Sequence, residues 1–165
     1  VKMLSGVRTA LTLFAVVALS GCMSGAGVER LASSARCVAD AAERVSGVDW
    51  AAAEAIEVGV RQGAFDPMII ALNRDTPYVI RITNRDDKPR YFRANEFFAS
   101  IALAKVVTGG REFDSGCISA VGVAANETAE IQFVAVRDGR YDFEDIRFMY
   151  APVVAGSGHG VVLIQ

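Results

Sequence analysis

YDFED, residues 141–145, and GHGVVLIQ, residues 158–165, are the two runs of sequence that decide the fold. The first alternates aromatic with acidic side chains, as half-buried β-strands do, so Tyr141 and Phe143 are predicted to face a core. The second run is rich in β-branched residues and predicts another strand. The twelve residues between the two runs are predicted to form a loop at the end of a sheet.

The sequence from Trp50 onward repeats this pattern of short apolar runs separated by turn residues. Further strands are predicted near residues 56–60, 68–72, 78–83, 117–121 and 131–136. Asp138-Gly139 lies between two alternating runs and predicts a hairpin. Residues 94–104 predict one short internal helix with Asn95 as its N-cap. Many short strands with few helices predict an all-β sandwich or small barrel over residues 51–165.

Composition and charge limit the classes of function. The chain is long enough for one domain with a sizeable core. Its formal net charge is −2, so no strong electrostatic field points to a nucleic-acid partner. The basic cluster of Arg85, Lys88, Arg90 and Arg93 is interleaved with the acidic residues Asp86, Asp87 and Glu96. We interpret this cluster as a solvated turn, and the alternative is a site for a polyanion.

The N-terminal sequence is typical of a protein that is exported. Lys2 and Arg8 flank the start of the apolar run Ala10–Leu19, which is too short for a membrane span of about 20 residues but suits a signal-peptide core. The run ends in Leu19-Ser20-Gly21-Cys22, which resembles a bacterial lipobox. This resemblance implies that residues 1–21 are removed and that Cys22 carries acyl chains, such as palmitate, which anchor the protein in a membrane. The alternatives are an uncleaved anchor or simple secretion.

Met23 follows the lipobox cysteine, where Gram-negative lipoproteins held at the inner membrane tend to have Asp. The resemblance therefore implies a periplasm-facing lipoprotein of the bacterial cell envelope, at the outer membrane. Residues 22–27 are predicted to be a lipidated, flexible tether. Residues 28–50 are predicted to be an amphipathic helical segment, because Val28, Leu31 and Val45 share a helical face and Ser46-Gly47 follows them.

Two cysteines remain once Cys22 is assigned to the lipid. Cys37 and Cys117 form an even pair, and an oxidising compartment favours their pairing. We predict a disulfide between them, and the alternative is two free thiols.

From about residue 56 to residue 164, the order of the predicted strands and of the turns between them resembles that of a cupredoxin, the Greek-key sandwich of small blue-copper proteins. Four pieces of sequence carry the resemblance: Phe65-Asp66-Pro67-Met68-Ile69-Ile70, Tyr78–Asn84 with Phe92, Tyr141-x-Phe143, and Gly160–Ile164. Each piece is short, but all occur in the order that the family has.

The resemblance implies positions for a type 1 copper site, which uses two His, one Cys thiolate and a distant Met. In this sequence the first His position falls on Arg90, the Cys position on Asp145, and the second His position near Val154. The Met position falls on Gly158 or His159, of which His159 alone is a potential ligand. The sequence therefore predicts no blue-copper centre and no cofactor.

Arg90 and Asp145 stand where ligands from two different strands would converge in the family. We predict that a guanidinium–carboxylate pair replaces the metal as a cross-link at this end of the sandwich, because the planar guanidinium matches a carboxylate. The alternative is that both are surface charges that never meet.

A copper site with unusual ligands is the alternative. The candidate set is His159, Met149 and Asp145, whereas Met68 lies in an apolar run and is expected in the core. Ser157 with His159 lacks the strand–Ser–helix context of a hydrolase, so we expect no enzyme. An apolar run in the predicted loop is a candidate partner patch if it is exposed. Its residues are Phe148, Met149, Tyr150, Val153 and Val154.

Taken together, the sequence predicts a lipid-anchored, cupredoxin-like module of the cell envelope that lacks the type 1 copper site. Its expected role is to bind or assemble with an envelope protein. The alternative is a copper-binding or electron-transfer cupredoxin with non-standard ligands around His159.

Overall fold

The computed structural model describes residues 25–31, 36–114, 116–145 and 158–165. Two six-stranded sheets face each other, with one short helix packed at the side of one sheet and another between two strands. The elements in chain order are β1 (Gly27–Arg30), α1 (Ala41–Val45), β2 (Glu54–Arg61), β3 (Ala64–Asp66), β4 (Ile69–Leu72), β5 (Pro77–Asn84), β6 (Arg90–Arg93), α2 (Asn95–Ser100), β7 (Ile101–Thr108), β8 (Arg111–Asp114), β9 (Ile118–Val123), β10 (Thr128–Ala135), β11 (Gly139–Glu144) and β12 (His159–Ile164). The predicted all-β sandwich is confirmed.

The sheets interleave distant parts of the chain, as a Greek-key sandwich does. The first sheet has the order β1-β9-β6-β11-β12-β4, and the second has the order β3-β2-β5-β10-β7-β8. Most neighbouring strands are antiparallel, but β12 pairs with β4 and β2 pairs with β5 in parallel. In the described part of the chain, no helix is long and apolar enough to cross a membrane.

Aromatic side chains fill the space between the sheets. The Phe143 ring is fully buried, with its centroid 5.0 Å from that of Phe65 and 4.8 Å from that of Phe92. Phe97 and Phe133 extend this cluster edge to face, which is a favourable arrangement for aromatic pairs. The predicted inward orientation of Phe143 is confirmed.

The predicted helical segment over residues 28–50 is wrong at its start. Gly27–Arg30 is a strand that pairs antiparallel with β9, and of the described residues 28–31 and 36–50 only Ala41–Val45 form an α-helix. The backbone hydrogen bonds that the edge of β9 offers outweigh a marginal, isolated helix. Ala26 is also buried, so the fold begins before the expected end of the tether at residue 27.

The predicted internal helix is shorter than expected. It spans only Asn95–Ser100, and Ile101 already begins β7, where strand pairing with β10 decides the conformation. Asn95 is the first helical residue, and Ala94 precedes it without a side-chain cap.

The predicted hairpin at Asp138-Gly139 is also wrong, because β10 and β11 belong to different sheets. The turn carries the chain across the sandwich instead. The Tyr141 hydroxyl donates to the carbonyl oxygens of Arg137 at 3.0 Å and of Asp138 at 3.1 Å, which fixes this crossing.

The predicted disulfide between Cys37 and Cys117 is confirmed, with 6.1 Å between the Cα atoms. It ties the segment before α1 to the start of β9. The helix packs on the second sheet through Val45 and its neighbour Trp50.

Candidate functional site

One end of the sandwich gathers the residues that the sequence analysis singled out. Strands β2, β5, β7, β9 and β11 end there, and β6 and β10 begin there. We call this region the loop end, and it consists of residues 62–63, 85–89, 109–110 and 124–127 together with Asp145 and Gly158.

Arg90 and Asp145 meet at the loop end. Arg90 is the first residue of β6 and Asp145 follows β11, and their side chains are 5% and 2% exposed. The Arg90 Nη1 donates to the Asp145 Oδ2 at 2.8 Å. The predicted ion pair is therefore confirmed, and it is buried.

A second carboxylate, Asp86, binds the same guanidinium. The Arg90 Nε donates to the Asp86 Oδ2 at 2.6 Å, so Arg90 bridges two carboxylates. The Asp86 oxygens also accept the backbone N–H groups of Gln62 at 2.7 Å and Gly63 at 3.3 Å. The interpretation of this stretch as a solvated turn is therefore wrong for Asp86, whose side chain is 10% exposed. Its spacing of four from Arg90 was the available signal, but such spacing carries no weight outside a helix.

The environment of Asp86 favours its charged form. Burial by itself raises the pKa of this carboxyl, because it disfavours a charge. The hydrogen bond from the Gln62 N–H, together with the charge and hydrogen bond of Arg90, outweighs burial, so the pKa of Asp86 is lowered from its ordinary value.

Several other polar atoms near the pair have partners as well. The second oxygen of Asp145 accepts the Tyr91 N–H at 3.0 Å, and the Asp145 N–H donates to the Gly158 carbonyl at 3.0 Å. Asn84, the residue of the family frame, is buried and donates from its amide to the carbonyl oxygens of Lys88, Val123 and Ala124. These bonds hold the turn that carries Asp86 against the neighbouring strands.

Gly158, one of the two candidate positions for the axial ligand, has no room for a side chain. A Cβ on Gly158 would overlap the Gly63 carbonyl oxygen and lie 2.9 Å from the Ala64 Cα. The turn between β2 and β3 therefore fills the space that a ligand side chain from this position would need.

His159 lies on the other side of the sheet from Asp145. It pairs with Glu144 in the β11–β12 ladder, so both point away from the core, and the Nδ1 of His159 is 4.0 Å from the Glu144 Oε2. The His159 side chain is 68% exposed, whereas Asp145 is buried. Met149, the third member of the candidate copper set, lies outside the described residues. The structure thus separates the two members of the set that it describes.

The residues at the loop end do not fit the copper ion that the fold family implies. A permanently charged guanidinium occupies the centre of the cluster, and it would repel a cation. Both oxygens of Asp145 already accept hydrogen bonds from the protein. Among the described residues, no group of three or more His, Cys, Asp or Glu could hold a metal ion.

The outer face of the first sheet carries an apolar surface that the sequence analysis did not predict. Met68 is 60% exposed and Ile69 is 64% exposed, so the expectation that Met68 lies in the core is wrong. Met68 precedes β4, and Ile70 and Leu72 fill the core-facing positions of that strand. The predicted partner patch, Phe148, Met149, Tyr150, Val153 and Val154, lies outside the described residues and remains a prediction.

Met68 and Ile69 border a groove of about 760 Å³ between helix α2 and the outer sides of β11, β12 and β4. We call it the outer groove, and six of its lining residues are Met68, Ile69, Arg93, Asp142, Glu144 and Val161. Its apolar wall lies on β4 and β12, and its charged wall lies on β6 and β11.

No family model matches the sequence, and no curated protein matches it. Solved structures are similar to it. Auracyanin A, a blue copper protein from Chloroflexus aurantiacus, matches 67% of this chain and 98% of its own, with 17% identity and a TM-score of 0.45. Auracyanin B matches 68% of this chain and 89% of its own, with 14% identity and a TM-score of 0.45. An oxidised amicyanin mutant matches 67% and 82%, with 13% identity and a TM-score of 0.41. At these identities and TM-scores the likeness goes no further than the fold, which is the β-sandwich that the sequence predicts.

Proposed function

We propose that this chain is a lipid-anchored, non-enzymatic module of the bacterial cell envelope that has lost the type 1 copper site and binds or assembles with an envelope protein. The observation that carries the proposal is the buried Arg90, which bridges Asp86 and Asp145 where the family's copper ligands would converge. A cross-link of charges holds the strands together there without a metal.

The loop end, as built, favours a static scaffold over a redox centre. The Asp145 carboxylate has its hydrogen-bonding groups engaged by Arg90 and Tyr91, and Gly158 packs against the neighbouring turn. Exchanging these contacts for a metal would leave the buried guanidinium with Asp86 as its one remaining carboxylate and place a second cation beside it, which is costly. Function is therefore assigned to the surfaces of the sandwich.

The outer groove supports partner binding. Val161 pairs with Ile69 and with Asp142 in the sheet, so an apolar column runs directly beside a charged one. An apolar centre with a polar rim is the usual composition of a protein interface. The chemistry of the groove suits a partner that brings an apolar side chain and mixed charges around it.

Site-specific photocrosslinking in intact cells tests the proposal. A photoreactive amino acid replaces Ile69 in one variant and Asp138 in a control, because Asp138 is exposed at the opposite end of the sandwich. The proposal expects a defined crosslinked product from Ile69 that is lost when Val161→Asp is added, and no such product from Asp138. The same products from both positions, or none from Ile69, would contradict it.

The alternative, a copper protein with ligands around His159, makes a different prediction. It requires a metal that stays bound through purification and depends on that imidazole. The intact mass of the mature N-terminal peptide separately tests the proposed acylation of Cys22.

A further inference from the structure

The first described residues of the chain are packed against the loop end. A Cβ on Gly25 would overlap the Pro89 ring, and the Gly25 carbonyl oxygen lies against Gly122. The next residue, Ala26, is buried, and its carbonyl accepts a hydrogen bond from the Arg111 Nη2 at 3.0 Å. Gly27 then begins β1, which runs away from the loop end along β9. The polypeptide is therefore fixed to the sandwich from Gly25 onward, at this end and not at the opposite one.

Very little chain separates this fixed point from the lipobox cysteine. Cys22 and Gly25 are three residues apart in sequence. Three peptide units of about 3.8 Å limit their Cα–Cα distance to about 11 Å, however the intervening residues are arranged. If Cys22 carries acyl chains, as the proposed function holds, the part of the loop end that Gly25 contacts is held within about this distance of the lipidated residue. That distance is close to the Debye length of about 8 Å at physiological salt, so charges at the loop end are within reach of the membrane surface.

The exposed charges of the loop end are predominantly positive. Arg85 and Lys88 are exposed on its turns, and Arg61 and Arg111 are exposed at the adjoining ends of β2 and β8. The exposed anions are Asp87 and Glu127 on the neighbouring turns and Glu112, which follows Arg111 on β8. Below them, the buried cluster of Arg90 with Asp86 and Asp145 carries one net negative charge, but it is covered by the turns.

We propose that the loop end docks on the membrane, with Arg61, Arg85 and Lys88 contacting the phosphates of anionic lipid headgroups. This proposal rests on the acylation of Cys22 in the proposed function and adds an orientation to it. The end of the fold that corresponds to the copper end of a cupredoxin is then turned towards lipid. The outer groove lies on the side of the sandwich and stays accessible to a protein partner.

The test uses the full acylated protein reconstituted in vesicles that contain lipids with a nitroxide on the headgroup. A fluorophore is attached to Asp87→Cys at the loop end, or to Asp138→Cys at the opposite end. Both sites are exposed aspartates, so the two labelled proteins keep the same net charge. Labelling is specific, because Cys37 and Cys117 are bonded to each other and Cys22 is acylated. In vesicles with 30% phosphatidylglycerol, quenching at Asp87→Cys is expected to be at least about threefold stronger than at Asp138→Cys.

Variants that replace a cation with glutamine distinguish contact with the lipid headgroups from tethering through the acyl chains alone. Arg61→Gln with Lys88→Gln is expected to lower the ratio of docked to undocked protein about fivefold for each cation removed. The control, Arg74→Gln with Arg140→Gln at the far end, is expected to leave this ratio unchanged. Equal quenching at the two labels, with acylation confirmed by mass, would overturn the proposal while leaving the anchor intact. The proposed headgroup contact would be overturned if quenching at Asp87→Cys did not change when phosphatidylglycerol is omitted or when Arg61 and Lys88 are replaced. A mass without acyl chains would remove the anchor, and the proposal with it.

Discussion

The buried guanidinium at the loop end makes a quantitative prediction. Replacing Arg90 with Met removes the cation that neutralises two carboxylates, Asp86 and Asp145, whose side chains are 10% and 2% exposed. Removing one partner of a buried ion pair costs about 3–5 kcal/mol, because the remaining charge is left uncompensated. Two carboxylates remain here, so Arg90→Met is expected to lower the free energy of unfolding by about 5 kcal/mol.

Asp145→Asn is expected to cost less. The Asn oxygen still accepts the Tyr91 N–H, and Arg90 keeps its bond to Asp86. The loss is one charge-assisted hydrogen bond, about 2 kcal/mol. Once Arg90 is gone, however, Asp145→Asn removes an unpaired buried charge and recovers part of the loss. The double variant should therefore lose about 4 kcal/mol rather than the additive 7, a coupling of about 3 kcal/mol.

Urea unfolding of the four proteins in a mild non-ionic detergent, followed by near-ultraviolet circular dichroism, measures these values. The disulfide is left intact in every variant, so that the unfolded states are comparable. Additive losses for Arg90→Met and Asp145→Asn would refute the reasoning, and so would a larger loss for Asp145→Asn than for Arg90→Met.

Three further outcomes are expected. The pKa of Asp86 is lower in the folded state than its ordinary value of 3.8, so the ionised carboxylate contributes its full stabilisation above pH 3.8 and loses it as the pH falls through the folded-state pKa. The difference in unfolding free energy between wild type and Asp86→Asn should therefore narrow below pH 3.8 in urea titrations. A difference that stays constant with pH would contradict this. Cys37→Ser removes the disulfide that closes a loop with a sequence separation of 80, and it should lower the free energy of unfolding by about 4.5 kcal/mol in chemical unfolding. A loss under about 1 kcal/mol would show that the Cys37–Cys117 bond does not restrict the unfolded chain. Gly158→Ala should lower the free energy of unfolding by about 3 kcal/mol, because the added Cβ overlaps the turn between β2 and β3. In the control Gly59→Ala the added Cβ makes only ordinary contacts, so the free energy of unfolding should change by less than about 1 kcal/mol. Equal losses in the two variants would contradict the overlap at Gly158.

The sequence predicted those features that depend on alternation and on position within the family frame. Tyr141 and Phe143 alternate with charged residues, and a period of two fixes which side chains face the core. Arg90 and Asp145 were paired because both fall on ligand positions that converge in space. Such predictions rest on geometry that every member of a fold shares.

The sequence did not predict features that depend on which strand is free to accept a partner. Val28 shares a helical face with Leu31 and Val45, but the edge of β9 is available for pairing, and the local sequence carries no information about that distant strand. Asp138-Gly139 is a strong turn signal, yet a turn does not specify whether the chain returns in the same sheet or crosses to the facing one.

Asp86 shows the same limit at the candidate site. Its neighbours in sequence are charged, which indicates a solvated turn, but the turn folds over Arg90 and buries both side chains. The backbone N–H groups of Gln62 and Gly63 that complete the environment of Asp86 come from another turn more than 20 residues away. Spacing along the chain carries no information about such a contact.

The central claim is that a charge cluster around Arg90 has replaced the copper site, and the copper content of the purified protein tests it most directly. Protein expressed in copper-supplemented cells, or loaded with copper and then desalted, is measured by mass spectrometry for metal per chain, alongside His159→Ala. The account predicts far less than one copper per chain, with the same value for the variant. One tightly held copper per chain that disappears in His159→Ala would contradict it.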